Sequence, residues 1–376
     1  MNTSHDRLAE SLDGSSDPAR TSAESALDVA GGTDPLSDVL ETVRLRGALF
    51  FVWEPSWHYA TRVPEGSRFG GLILPGAERI VSYHIVTEGP CWGAVIGEDP
   101  VRLETGDILL LPHGDAYCIA SRPSAATPAE DPDEIEFFRR MAAGEIPPVV
   151  VDGGGRRERN RIICGFLGCE RLPFNPLLDT LPRLIRVPAA AGPDPLAGLV
   201  GFALDESGRG QEGERCLLLR LSEVMFVEVL RRYLRSAPVQ DSGWLVALRD
   251  PLVGRALGLL HRTPEAPWTL GGLGAALATS RSTLSERFAE AVGEPPMQYL
   301  ARWRMQLAAR RLADGPDKVY AIARAVGYQT EAAFSRAFKR RVGVSPSAWR
   351  RGARGTPEAW AGAGRGPAGQ GYSLED

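Results

Sequence analysis

Near the C-terminal end the chain reads AIARAVGYQTEAAFSRAFKRRVGVSPSAWR from Ala321 to Arg350. Within it Ala332, Ser335, Arg336 and Lys339 fall at i, i+3, i+4 and i+7, a single stripe of a helix. A methyl, a hydroxyl, a guanidinium and an ammonium on one stripe suit base edges and phosphates in a DNA major groove. A guanidinium can meet guanine O6 and N7 together, so Arg336 is the leading candidate for base readout. This is recognition chemistry, and it needs a rigid frame behind it.

The frame is legible on either side of the stripe. Ala333, Phe334, Ala337 and Phe338 face inward. Ile322, Ala325 and Val326 form the apolar face of a preceding helix, which Gly327-Tyr328 breaks as a tight turn would. Thr330 can cap the second helix by accepting from a free backbone N–H. Lys339-Arg340-Arg341, then Gly343 and Ser345-Pro346, form a C-terminal stop. Helix, short turn and helix make a helix-turn-helix. The pattern occurs twice. Leu270 to Leu277 predicts a first scaffold helix, Ala278-Thr279 its turn, and Ser280 the cap of a helix ending at Gly293. There Leu284 and Phe288 face inward, while Arg281, Ser282, Ser285 and Glu286 face out. A basic helix from Pro295 to Arg311 links the copies and sets their spacing, so the outward faces can reach successive major grooves about 34 Å apart. The first scaffold holds Gly271, Gly272 and Gly274, each costing up to ~1 kcal/mol against Ala in a helix.

Gly327-Tyr328, Phe334-Ser335-Arg336-Ala337-Phe338-Lys339, Gly343, Ser345-Pro346 and Trp349-Arg350 resemble the signature of the AraC/XylS family of transcription regulators. The resemblance implies that Ser282, Ser285, Glu286, Ala332 and Ser335 sit at base-contacting positions. Arg281, Lys339 and Arg350 are better placed for phosphates, which position without specifying. It also implies double-stranded promoter or operator DNA as partner, with RNA polymerase if the protein is an activator.

Charge supports the same partner. Residues 255–354 hold 17 Lys/Arg against 7 Asp/Glu, a net +10, within a chain whose net charge is −4. Only that end suits phosphate contacts. A chain of 376 residues with 43% hydrophobic residues is large enough for two or more domains. No apolar run approaches the roughly 18 residues a membrane span needs. The opening MNTSHDRLAESLDGSSDPAR lacks a secretory signal's apolar segment. Five cysteines without a CxxC pair favour reduced thiols in a cytoplasmic protein, and the lack of a spanning run leaves no membrane partner expected.

The rest of the chain predicts a β-rich domain and two helices ahead of the basic end. Residues 1–34 are rich in Ser, Asp, Ala and Gly, which reads as a disordered tail. Residues 35–190 begin with a short helix at Asp34–Arg46. Short apolar runs between Gly/Pro turns follow, at Ala48–Trp53, Ile80–Thr87, Cys91–Ile96, Val101–Leu103, Ile108–Leu111 and Ile162–Leu167, which suggest a sandwich or barrel. Ser121–Val151 reads as an exposed loop with a short helix at Ile135–Ala142, and Asp152–Arg156 as a hairpin turn. Gly106-Asp107-Ile108-Leu109-Leu110-Leu111-Pro112-His113-Gly114-Asp115 resembles the second cupin motif, and Tyr83 to Gly89 a degenerate first one. That resemblance implies a cupin-like sensor, with His84, His113, Tyr117 and Trp92 as candidate ligand-binding residues. Tyr117 stands where metal-binding cupins carry a His, so neither metal nor other cofactor is assigned, and no catalytic residue. Cys91, Cys164 and Cys169 are candidates for a redox response, since some regulators of this type sense oxidants through cysteine. Cys164 and Cys169 are an odd number apart, so on one strand they face opposite ways.

Residues 191–236 predict two helices, Pro195–Leu204 and Arg215–Leu234. Leu217, Leu218, Leu221, Val224, Met225, Glu228, Val229 and Arg232 on the second form a heptad-like stripe; the family resemblance implies that such a helix pairs two subunits in a homodimer, and the alternative is a helix packed on its own barrel. Residues 237–243 read as a linker, 244–354 as the DNA-binding domain opening with one helix from Trp244 to His261, and 355–376 as a second disordered tail. The expected class is α+β: a cupin-like barrel, a helical dimerisation segment and an all-α domain with two helix-turn-helix motifs. The expected function is a DNA-binding regulator, an activator, under small-molecule control. Its alternatives are a cysteine-switched regulator and a cupin enzyme with an accessory DNA-binding domain; the weak metal-ligand set argues against an enzyme.

Overall fold

The computed structural model describes residues 34–125, 132–152, 160–170, 173–237 and 243–354. Most of both expected tails, the Gly153–Arg156 part of the expected hairpin turn and most of the 237–243 linker lie outside the described residues.

Helix α1 (Pro35–Val43) opens the described chain, with Asp34 accepting from Ser37 N at 3.1 Å and Pro35 in its first turn. Two sheets follow. Strands β1 (Arg46–Pro55), β3 (Arg79–Glu88), β6 (Ile108–Leu111), β8 (Val149–Asp152), β9 (Arg161–Cys169) and β10 (Ile185–Val187) pair in the order β10-β6-β3-β9-β1-β8. Strands β2 (Ala60–Val63), β4 (Cys91–Val95), β5 (Val101–Leu103) and β7 (Tyr117–Ala120) pair in the order β2-β7-β4-β5. One core lies between the sheets, where Phe51, Leu109, Ile162 and Phe166 meet Val95, Leu103, Tyr117 and Ile119. Helices α2 (Gly66–Ile73) and α3 (Glu134–Ala143) add Phe69 and Phe138, stacked at 4.0 Å.

The turn before β6 is a built joint. Gly106 takes φ +88°, a conformation that suits glycine. Asp107 is buried and accepts from Arg186 Nε at 2.9 Å and from Ala189 N at 2.8 Å.

The other face of the large sheet is covered by α4 (Pro195–Glu206) and α5 (Glu214–Ser236). Here the structure narrows what α5 can offer to a second copy. Leu218, Leu221, Met225, Glu228, Val229 and Arg232 are buried within the same chain, so most of the stripe packs on its own domain. Tyr83 Oη lies 2.9 Å from Ser222 Oγ, and Arg232 donates to the carbonyls of Pro188 and Gly106. Leu217 and Val224 alone of that stripe are exposed, at 41% and 53%.

The C-terminal helices are α6 (Trp244–Ala247), α7 (Pro251–Arg262), α8 (Leu270–Ala276), α9 (Arg281–Val292), α10 (Pro296–Asp314), α11 (Val319–Ala325), α12 (Glu331–Val342) and α13 (Pro346–Arg354). The single helix expected from Trp244 to His261 is two. Asp250 accepts from both Leu252 N and Val253 N, and Pro251 has no N–H to continue the first helix.

Hydrophobic contacts divide this region unevenly. Leu273, Leu284, Phe288, Tyr299 and Trp303 belong to one cluster with Leu36, Phe174, Leu218 and Val229 of the N-terminal domain. Met305, Leu312, Ile322, Phe334, Phe338 and Trp349 form a separate cluster.

Candidate nucleic-acid interface

Helices α9 and α12 are both 12 residues long and lie 50 positions apart. Their ends are built alike. Ser280 Oγ accepts from Thr283 N at 3.1 Å, and Thr330 Oγ1 from Ala333 N at 3.2 Å. Gly293 and Gly343 terminate them at φ +88° and +89°, the left-handed C-cap glycine favours. Inward, Leu284 and Phe288 in one and Phe334 and Phe338 in the other are fully buried. Downstream, Tyr299 and Trp349 occupy equivalent places. Tyr299 Oη lies 2.7 Å from both Trp244 Nε1 and His261 Nε2, and Trp349 Nε1 donates to Ala309 O at 3.0 Å.

These anchors fix the outward stripes. Arg281, Ser282, Glu286, Ala332, Arg336 and Lys339 are exposed, while Ser285 and Ser335 are half-buried at the rim. Ser282 Oγ is 3.0 Å from the capping Ser280 Oγ, so it is partly engaged at the helix start. Arg350 is also engaged: its guanidinium donates to the Asp317 carbonyl and closes the loop before α11. Lys339, Arg340 and Arg341 crowd the last turn of α12, where α9 has no basic residue. Arg287 of α9 is turned aside to Asp250, at 2.5 Å.

The turns of the two motifs differ. Ala278 takes φ +54° in the first, and Gly327 takes φ +87° in the second. A Cβ on Gly327 would lie 2.7 Å from Glu265 O and 2.8 Å from Arg304 Nη2. Arg304, on the linking helix α10, donates to Pro264 O and Ala266 O, so the turn is wedged against the joint between the motifs.

In the N-terminal domain the structure brings together two of the four candidate ligand-binding residues. His84 Nε2 is 2.5 Å from Tyr117 Oη, and His84 Nδ1 is 3.2 Å from Cys164 Sγ. All three are buried between the sheets. Burial lowers the His84 imidazole to about 3, so it is neutral at ordinary pH. His113 bonds to Leu181 O at 2.7 Å instead, and Trp92 is half-buried between the inward-facing Cys91 and Gly93 positions of β4. Among the described residues no three His, Cys, Asp or Glu side chains converge as a metal ion would need.

Burial raises the Cys91 thiol to about 12, Cys169 to about 11 and Cys164 well above its usual range. Such thiols are protonated and poor nucleophiles. Cys164 lies in the core between the sheets and Cys169 in the core on the other face, as their odd spacing requires. A thiol switch therefore finds no support here.

The N-terminal domain and the first motif meet at a cleft of about 200 Å³, lined by Phe174, Asp179 and Thr180 on one side and by Trp244, Glu294 and Arg302 on the other. Arg302 pairs with Glu294 at 3.1 Å and lies over the Phe174 ring at 3.9 Å. None of these residues stood out in the sequence, because they belong to three segments that only the fold unites.

Comparison with known proteins supports both halves. A family model described as Cupin matches residues 34–235, and one described as Helix-turn-helix domain matches residues 273–352. A Streptomyces antibioticus protein named as an AraC-like transcription regulator is 35% identical over 323 residues, covering 85% of this chain and 98% of its own. The transcriptional regulator AlkR of Acinetobacter baylyi is 33% identical over 253 residues, 65% of this chain and 79% of its own. Among solved structures, the DNA-binding domain of AdpA in complex with a target DNA is 28% identical over 28% of this chain and 94% of that domain, with a TM-score of 0.27.

Proposed function

This chain belongs to the AraC family of transcription regulators, and from that premise we propose that it recognises a two-element promoter or operator site and raises transcription when a small molecule engages its cupin domain. The observation that carries this reading is the paired geometry of α9 and α12: equal length, equal caps, outward polar stripes, and a linking helix that holds them apart. Two such helices can enter successive major grooves of one DNA face.

Control by an effector follows from the shared core. Sensor residues and first-motif residues pack into one cluster, so a ligand that favours one sensor state biases the placement of α9 by its differential affinity. His84 and Tyr117, inside the sensor, are the candidate contacts. The protein acts as a homodimer in this reading, through the outer face of α5 where Leu217 and Val224 are exposed, and sedimentation of wild type against Val224→Glu checks it. The expected compartment is the cytoplasm, where DNA and RNA polymerase are. Among the described residues no helix is long and apolar enough to cross a membrane.

A reporter gene placed behind a DNA fragment the protein retains tests the activator reading. Expression that rises with the protein supports it, and expression that falls makes the protein a repressor.

A further inference from the structure

We propose that the two motifs divide the work on DNA: α12 supplies the larger share of the phosphate affinity, and Glu286 on α9 reads a cytosine by accepting from its N4 amino group. This rests on the DNA-binding reading above and assigns a role within it.

The argument starts from the common frame. Because α9 and α12 share caps, length and inward anchors, positions 50 apart occupy equivalent places on their outward faces. Charge is inverted at three of those places and gained at a fourth. Arg281 corresponds to Glu331, Glu286 to Arg336, Ala289 to Lys339 and Glu290 to Arg340. Helix α12 carries Arg336, Lys339, Arg340 and Arg341 against the single Glu331, a net +3. Helix α9 carries Arg281 and Arg287 against Glu286 and Glu290, and Asp250 holds Arg287 away from the stripe.

Affinity from counterion release scales with the phosphates neutralised, so of the two recognition helices α12 must supply the larger share. A carboxylate facing DNA is repelled by the phosphates on either side. It gains only where a base offers a donor in the major groove, and cytosine N4 is the donor that Glu accepts from. Adenine N6 is also a donor, but the neighbouring N7 acceptor repels a carboxylate. Glu286 is exposed and makes no ion pair among the described residues, so it is available for that contact. Arg336, its counterpart, presents donors to guanine O6 and N7. The two elements of the site therefore differ in sequence, and a tandem repeat of one element is excluded.

The test selects binding sites for the full chain from a randomised duplex library, for wild type, Glu286→Gln and Arg336→Gln, with affinities measured across a salt series. Glutamine pairs with adenine N6 and N7. Wild type should give two unlike elements, one with an invariant cytosine. Glu286→Gln should move that one position from cytosine to adenine, by on the order of tenfold, and leave the other element alone. Arg336→Gln should change only the other element. Lys339→Ala should lower the salt slope by about 0.9, and Glu286→Gln should not. A two-element wild-type site that Glu286→Gln leaves unchanged, or weakens evenly at all positions, overturns this inference while the regulator reading stands. A wild type that enriches no site overturns both.

Discussion

Arg336 shows how much a single side chain can be read in advance. Its stripe position follows from a 3.6-residue period, and its exposure follows from the burial of Phe334 and Phe338 behind it. Arg336→Ala should cost about 1–3 kcal/mol at the preferred site and relax one base preference. An equal loss on every duplex would make it a phosphate contact. The same scale shows where sequence reading stops. His84, Tyr117 and Cys164 are 33 and 80 positions apart and meet only because β3, β7 and β9 fold across one core. Strand register, which sets that meeting, is not encoded in local spacing. The buried imidazole carries a measurable consequence. Its folded value lies near 3, below the unfolded 6.5, so the unfolded state binds the proton first. Stability is then fully present above pH 6.5 and lost as pH falls from 6.5 toward 3. Urea denaturation at pH 7 and pH 5 should differ by about 2 kcal/mol through this group, and His84→Gln should reduce the difference. Equal stability at both pH values would place a charged imidazole in the core.

Among the elements, capping residues were legible, as were the short strands β5 and β6 through their apolar runs between turn signals, but four other short strands were not. Thr330 and Ser280 were identifiable as caps because a hydroxyl precedes an apolar periodic run. Asp34-Pro35 and Asp194-Pro195 mark helix starts in the same way. Asp250-Pro251 carries the identical signal, yet Leu248, Leu252 and Ala256 kept helical spacing across it and hid the break between α6 and α7. Strands β2, β7, β8 and β10 have three or four residues each, too few for a period to show. Helix α2 has three glycines and is held by the stacking of Phe69 on Phe138, which propensity cannot foresee. The glycines of α8 can be sorted by the space around them. A Cβ on Gly271 meets nothing nearer than 3.6 Å, so Gly271→Ala should stabilise the first motif by about 0.5–1 kcal/mol. A Cβ on Gly274 lies 3.0 Å from Thr279 O, so the same change there should stabilise less or destabilise. Gly327→Ala should destabilise the second motif outright, being both left-handed and crowded. Urea midpoints of the three variants check the ranking, and a Gly271→Ala midpoint below wild type would contradict it.

Across the whole molecule, the two domains expected from composition and charge are joined more closely than a linker suggests. Trp244 is fully buried; its backbone N–H donates to Thr180 Oγ1 of the sensor and its indole N–H to Tyr299 of the first motif. On the far side, α1 reaches across: Arg44 pairs with Asp314 at 3.0 Å, and Asp38 approaches His261 at 3.5 Å. These contacts bind the cupin domain to the first motif, while the second keeps its own core. Trp244→Ala should therefore cost about 3–5 kcal/mol, with faster hydrogen exchange in the sensor and α9 and little change in α12. Uniform loosening of both motifs would contradict that division. The domain junction escaped sequence reading because Phe174, Thr180, Trp244 and Tyr299 carry no shared local pattern. The central claim, that this chain reads a two-element DNA site, is tested most directly by binding the purified protein to genomic fragments across a salt series and sequencing what is retained. The account predicts enrichment of a site with two unlike elements roughly one helical turn apart, persisting as salt rises. Retention of all fragments alike, vanishing with added salt, would contradict it.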